Sequence, residues 1–207
     1  MKLSCLLFAI LLLSGCAVPL HEQIASLSRA VPCCSGFNEF KYQPLILPSE
    51  NSVDLKSDTP AFVFKHGKSF FAAYALPRYV GPYSISVMHQ PTATAISPVL
   101  TLLDAEFVVS RQIDSSKSRS GTGYRQIMDI FINSDNQHER YLVLSTRVGS
   151  GEKPLVTKTF TPVIIPIGAA GIVVNGSEQV NQADYGTMGS LTLSLIPYQP
   201  VVLGGNP

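Results

Sequence analysis

The stretch Tyr83-Ser84-Ile85-Ser86-Val87 alternates without a slip between bulky apolar and small polar residues. In an extended chain successive side chains point to opposite faces, so Tyr83, Ile85 and Val87 share one face and Ser84 and Ser86 the other. This is the signature of a strand with one dry and one wet side. Far along the chain, Leu191-Thr192-Leu193-Ser194-Leu195 repeats it. Between them, Arg140–Thr146 (RYLVLST) is almost continuously apolar, which suits a central strand covered on both faces.

Working outward, the same punctuation recurs. Ala61–Phe64 and Ser69–Leu76 flank His66-Gly67-Lys68, a hairpin-like connection. Val99–Leu103 and Phe107–Ile113 flank the turn Asp104-Ala105-Glu106, and Tyr124–Ile132 resumes strand character. Phe37–Tyr42 is a short run with Phe40 and Tyr42 on one face, and Val53 and Leu55 alternate within Ser49–Thr59. Gln43–Leu47 contains Pro44 and reads as an edge segment. Pro154, Pro162 and Pro166 make Val156–Ile167 an irregular edge or crossing segment, followed by a flexible Gly168–Gly171 and a loop at Gln182–Gly189. Pro77–Pro82 is a break and Asp114–Gly123 a polar loop. About nine or ten short strands at roughly 8–12-residue spacing predict an all-β chain: a single antiparallel β-sandwich, jelly-roll-like. It spans residues 36–198, with a loose tail at 199–207.

Composition agrees. Only 14% of the 207 residues are charged, and the chain carries 15 Gly and 15 Pro, a mixture that favours strands and turns over helices. Lys and Arg number 15 against 14 Asp and Glu, which leaves no basic footprint for nucleic acid.

The N-terminus sets the address. A basic Lys2 precedes an apolar run from Leu3 that closes at Leu13-Ser14-Gly15-Cys16. The run falls short of the roughly 20 residues that a bilayer-spanning helix needs. Its length and small-small-Cys end are those of a bacterial lipoprotein signal. Residues 1–15 are therefore expected to be removed, with Cys16 becoming the first residue and carrying the lipid. Two ester chains and one amide chain on a single residue hold a protein to a membrane far better than one acyl chain does. Ala17 stands where an Asp commonly retains such proteins in the inner membrane, so an outer-membrane anchor facing the periplasm is expected. Residues 16–35 form the lipidated tether; within it, His21–Ala30 suits either two or three helical turns or an extended leash.

Of the four cysteines, Cys5 leaves with the signal and Cys16 takes the lipid. Cys33 and Cys34 remain, adjacent, in an oxidising compartment. Neighbouring Cα atoms lie about 3.8 Å apart, closer than the roughly 4.4–6.8 Å of ordinary disulfides. Three states are open to the pair: a vicinal disulfide, two thiols, or bonds between chains. Metal binding lacks a second Cys pair or a His cluster.

Nothing in the chain assembles catalytic chemistry. There is no G-x-S-x-G elbow, and His21, His66, His89 and His138 lie in loops or at strand ends and read as surface residues. Asp104 and Glu106 read as turn residues rather than paired glycosidase carboxylates. No cofactor is implied. Aromatic residues cluster over Phe70, Phe71, Tyr74, Tyr79 and Tyr83, and most of these belong in a core. The absence of Trp argues against a strong sugar-stacking platform. If one ring serves a glycan, Tyr74 and Tyr79 are the candidates.

The pattern from Leu55 to Leu103, with AYALPRYVGPYSISV and then ISPVLTLLD, resembles the maltose operon periplasmic protein family. So does the later succession of YLVLST, a polar connection, a Pro/Gly segment and the closing LTLSL. The resemblance covers residues 40–197. It implies an envelope protein tied to maltose and maltodextrin uptake, with no catalytic or ligand residues to carry over. A non-enzymatic accessory factor follows as the expectation, binding a maltodextrin, a sugar porin or another envelope protein. The alternative is a structural or assembly lipoprotein that recognises a protein partner through a sheet edge.

Overall fold

Alternation in the sequence becomes burial in the computed structural model, which describes residues 18–91, 94–120, 125–147, 154–167 and 170–198. The expected signal 1–15, the expected lipid site Cys16 and the tail 199–207 lie outside the described residues. Among the described residues one α-helix, α1 (Leu20–Arg29), precedes thirteen strands. In chain order these are β1 (Gln43–Pro44), β2 (Ser49–Leu55), β3 (Ala61–Phe64), β4 (Gly67–Ala75), β5 (Tyr83–His89), β6 (Pro98–Leu103) and β7 (Val109–Asp114). There follow β8 (Arg119–Ser120), β9 (Gln126–Ile132), β10 (Tyr141–Thr146), β11 (Leu155–Ile167), β12 (Ala170–Ala183) and β13 (Gly189–Pro197).

Two sheets form the body. One runs β1-β4-β10-β6-β7, with β3 also on β4; the other runs β2-β13-β5-β9-β8. All pairings are antiparallel except the short β1–β4 contact. The two alternating stretches are neighbours: Leu193 opposes Val87 and Leu195 opposes Ile85. Their dry faces meet Leu100, Leu102, Leu142 and Leu144 of the other sheet in one core, all at most 2% exposed. The fold is thus an all-β sandwich. Each fully buried aliphatic side chain in it contributes about 1.5–3 kcal/mol.

β4 explains why FFAAY does not alternate. Phe70 and Tyr74 enter the core between the sheets, whereas Phe71 and Ala73 enter a second cluster on the outer face with Phe40, Phe64, Leu103 and Val143. The segment following Cys33-Cys34 roofs this cluster. It does so as a 3-10 turn, Phe37–Glu39, rather than the expected strand.

The sandwich also begins earlier than expected. Helix α1 does not hang as a leash: Leu27 joins the main core, and Gln23 is 4% exposed. The Gln23 amide nitrogen donates to Val18 O (2.8 Å) and Thr94 Oγ1 (3.3 Å), and its oxygen accepts from the backbone N–H of Thr187 (3.1 Å) and Met188 (3.2 Å). Residues 20–35 therefore belong to the folded unit. The Pro-containing 156–167 stretch is not a crossing segment either. Among the described residues β11 and β12 pair only with each other, as a long hairpin.

His89 and His66 depart from the surface reading. His89 is 2% exposed because both ring nitrogens have partners: Nδ1 donates to Ser190 O and Nε2 accepts from Ile96 N, each at 3.1 Å. Burial lowers its pKa, against a smaller opposing effect of the Ser190 bond. His66 is half-buried, stacked on Phe64, and burial followed by Arg147 lowers its pKa.

Candidate functional site

A cleft of about 760 Å³ opens on the outer edge of β4, beside Cys33 and Cys34. Its origin lies in the ladder. Leu76 N donates to Arg140 O, so even-numbered residues of β4 bond toward β10. Odd-numbered residues bond the other way: Phe71 N donates to Pro60 O (3.0 Å), and Ala75 O accepts from Leu45 N (2.9 Å). β3 pairs as far as Phe70 and β1 begins opposite Tyr74. Between the two, Pro60 has no N–H to return to the Phe71 carbonyl. The Phe71 carbonyl and the Ala73 N–H are left at the cleft without a ladder partner.

Around this gap stand Glu39, Lys41 and Gln43 from the roof segment, Asp54 from β2, and Asp58 and Thr59 from the β2–β3 turn. Some are occupied. Glu39 accepts from Ser35 N (2.9 Å) and Ser35 Oγ (2.5 Å), which holds its carboxyl below the usual range. Asp54 accepts from Ser190 Oγ (2.6 Å) and pairs with Lys56 (2.9 Å); the Ser190 bond is the larger cause of its lowered pKa. Thr59 Oγ1 donates to Lys56 O, closing the turn. Lys41, Gln43 and Asp58 make no side-chain hydrogen bond among the described residues and line the opening. A cation, an amide and a carboxylate, with one backbone donor and one acceptor, give the cleft both hydrogen-bonding senses.

Cys33 and Cys34 form a vicinal disulfide, with Cα atoms 3.7 Å apart. Cys33 N donates to Ala61 O (2.9 Å), which ties the disulfide to the start of β3. Cys34 packs against the aromatic roof cluster while Cys33 is exposed. The pair thus forms a fixed wall of the cleft.

Of the two rings expected for a glycan, Tyr74 is 7% exposed in the core, and burial raises its pKa. Although it borders the cleft, no ring face is free for stacking. Its position on the inward parity of β4 is the reason. Tyr79 is half-buried against the main core and does not line the cleft. A different set of rings is half-exposed: Tyr141 stacks on Phe107 (4.7 Å between centroids, planes 15° apart) and lies 4.4 Å from Tyr42. Phe107 has φ of 61°, uncommon for a bulky residue. Asp104 Oδ1 accepts from Glu106 N (3.0 Å) and Val108 N (2.8 Å), so it serves the turn, as the sequence implied. Among the described residues no three His, Cys, Asp or Glu gather as a metal site.

The structure defines an all-β sandwich with a polar cleft at a broken strand edge. No protein-family profile and no curated protein matches the chain.

Proposed function

We propose that this chain is a non-enzymatic lipoprotein of the bacterial envelope, held by a lipid on Cys16 at the periplasmic face of the outer membrane. In this reading it assists carbohydrate uptake by holding a maltodextrin-type glycan in the cleft beside Cys33 and Cys34. The observation that carries the reading is the uncommitted set of Lys41, Gln43 and Asp58 facing the Phe71–Ala73 gap. Sugar hydroxyls donate and accept, so a site offering both senses complements them.

Calorimetry with maltodextrins tests this. Heat is expected at millimolar sugar or below, with Asp58→Asn and Gln43→Ala each weakening affinity about tenfold, the scale of one lost hydrogen bond of roughly 1–1.5 kcal/mol. Absence of heat at millimolar sugar defeats it. A second reading, docking of a protein partner on a sheet edge, is supported by β7. That edge strand is preceded by exposed Val108 and starts at exposed Val109.

A further inference from the structure

Helix α1 leaves almost no chain between the fold and residue 16. Gln23 donates to the Val18 carbonyl and accepts from Thr187 N and Met188 N, so Val18 is already fixed on the sandwich. Leu27 packs into the main core. Further along, Lys68 Nζ donates to Ser28 O (3.0 Å) and Cys33 N donates to Ala61 O (2.9 Å). Both ends of the helix and the segment after it are therefore held. A leash over residues 16–35 would reach roughly 65 Å when extended, whereas the two residue steps from Val18 to Cys16 span about 7.6 Å at most.

This distance decides what the helix faces. A lipid on Cys16 sets its glycerol at the boundary of the hydrocarbon, beneath a headgroup layer of about 5–7 Å in each leaflet. Val18 then stands at the level of the headgroups, and the body cannot rise off them. α1 turns Gln23 and Leu27 inward. Residues three and four apart share a helix face, so His21, Ile24 and Ser28 lie together on another side. All three are exposed, as is Val18. Val18 and Ile24 offer apolar surface, and His21 and Ser28 offer polar groups, the mixture that a membrane interface accepts on one surface.

We propose that this face of α1, together with Val18, is the membrane-facing rim of the sandwich and rests on the lipid headgroups around the Cys16 anchor. The inference rests on the lipidation of Cys16 proposed above and adds a fixed orientation and height. The protein stands on its helix rather than swinging on a tether. The strands set the far end. Gln23 holds Thr94, just before β6, and Val108 follows the other end of β6, where its carbonyl accepts from Asp104 N (3.0 Å). The six residues of β6 put about 17 Å between these ends, more than the headgroup layer, so Val108 stands clear of it when α1 is the rim.

The chain has no Trp, so one introduced Trp reports alone. Full-length protein carrying Ile24→Trp, produced in a bacterium that lipidates it, is reconstituted into phosphatidylethanolamine/phosphatidylglycerol vesicles with and without a headgroup-nitroxide lipid. The expected result is flotation with the vesicles and loss of most Trp emission to the nitroxide. Val108→Trp, also at an exposed position, is expected to keep nearly all of its emission. His21→Trp, one turn earlier on the same face, repeats the reading in case Ile24→Trp misfolds. Flotation with both rim reporters quenched no more than Val108→Trp overturns the rim and leaves the anchor standing. Failure to float overturns the anchor and the rim with it. Neither result bears on the sugar calorimetry.

Discussion

Replacing Gln23 by Ala should detach α1 from the sandwich. One side-chain oxygen at this position serves two backbone donors, Thr187 N and Met188 N, at 3.1 and 3.2 Å. Thr187 is fully buried, so its N–H finds no water when the amide is removed. An orphaned buried donor costs about 1–3 kcal/mol, and the half-buried Met188 N–H adds a fraction of that, for a total of about 1.5–4 kcal/mol. Gly186 supplies an independent handle. A Cβ there would stand 2.3 Å from Gln23 Oε1, so Gly186→Ala must expel the amide. The two variants remove the same contact, and the double variant should cost little more than the worse single one. Urea unfolding gives the global value, and trypsin cleavage after Arg29 reports helix release. A Gln23→Ala protein within 0.5 kcal/mol of wild type, on the order of an ordinary surface change, with unchanged cleavage, would falsify the docking argument.

Other consequences follow from single contacts. Glu139 has a side chain 0% exposed and is held in two bonds by Arg111, Nε to Oε1 at 2.7 Å and a second guanidinium nitrogen to Oε2 at 2.8 Å. Arg111→Ala should destabilise by about 3–5 kcal/mol in denaturant, because a buried carboxylate loses its partner. His89 and His66 have lowered pKa values, so the folded state favours their neutral forms. Their contribution to stability is complete above the ordinary His value of 6.5 and is lost as pH falls through their lower folded values. Melting temperature should drop on acidification below that value, and His89→Gln should flatten the drop. Leu193→Ala, at a 0% exposed core position, should cost about 2–5 kcal/mol in the same assay. The Cys33–Cys34 bond closes almost no loop, so reducing it returns little entropy to the unfolded chain and global stability should change by about 1 kcal/mol or less. Sugar affinity should fall with it, because the cleft loses its fixed wall.

The sandwich was legible where one face of a strand is wet, as in Tyr83–Val87 and Leu191–Leu195, because burial there is written at period 2. Arg140–Thr146 was legible as the centre of its sheet for the opposite reason. The hairpin was hidden because Pro162 and Pro166 look like breaks until register shows them on an edge that needs no donor. Docking of α1 was hidden because a polar residue, Gln23, seals it through partners more than 160 positions away. The cleft was not legible either. Pro60 leaves the gap only because β3 and β1 share one edge of β4, a fact of topology and not of local pattern. The burial of Tyr74 was hidden for the same kind of reason, since only parity along β4 decides which rings face inward.

Amide chemical-shift mapping of the labelled protein during titration with a linear maltodextrin tests the binding site most directly. The predicted result is that the Ala73 N–H and the Gln43 side-chain amide move first and saturably, with Asp58→Asn weakening both responses. Shifts confined to other surfaces, or none at millimolar sugar, would contradict the assignment of this cleft as the place where the protein holds its ligand.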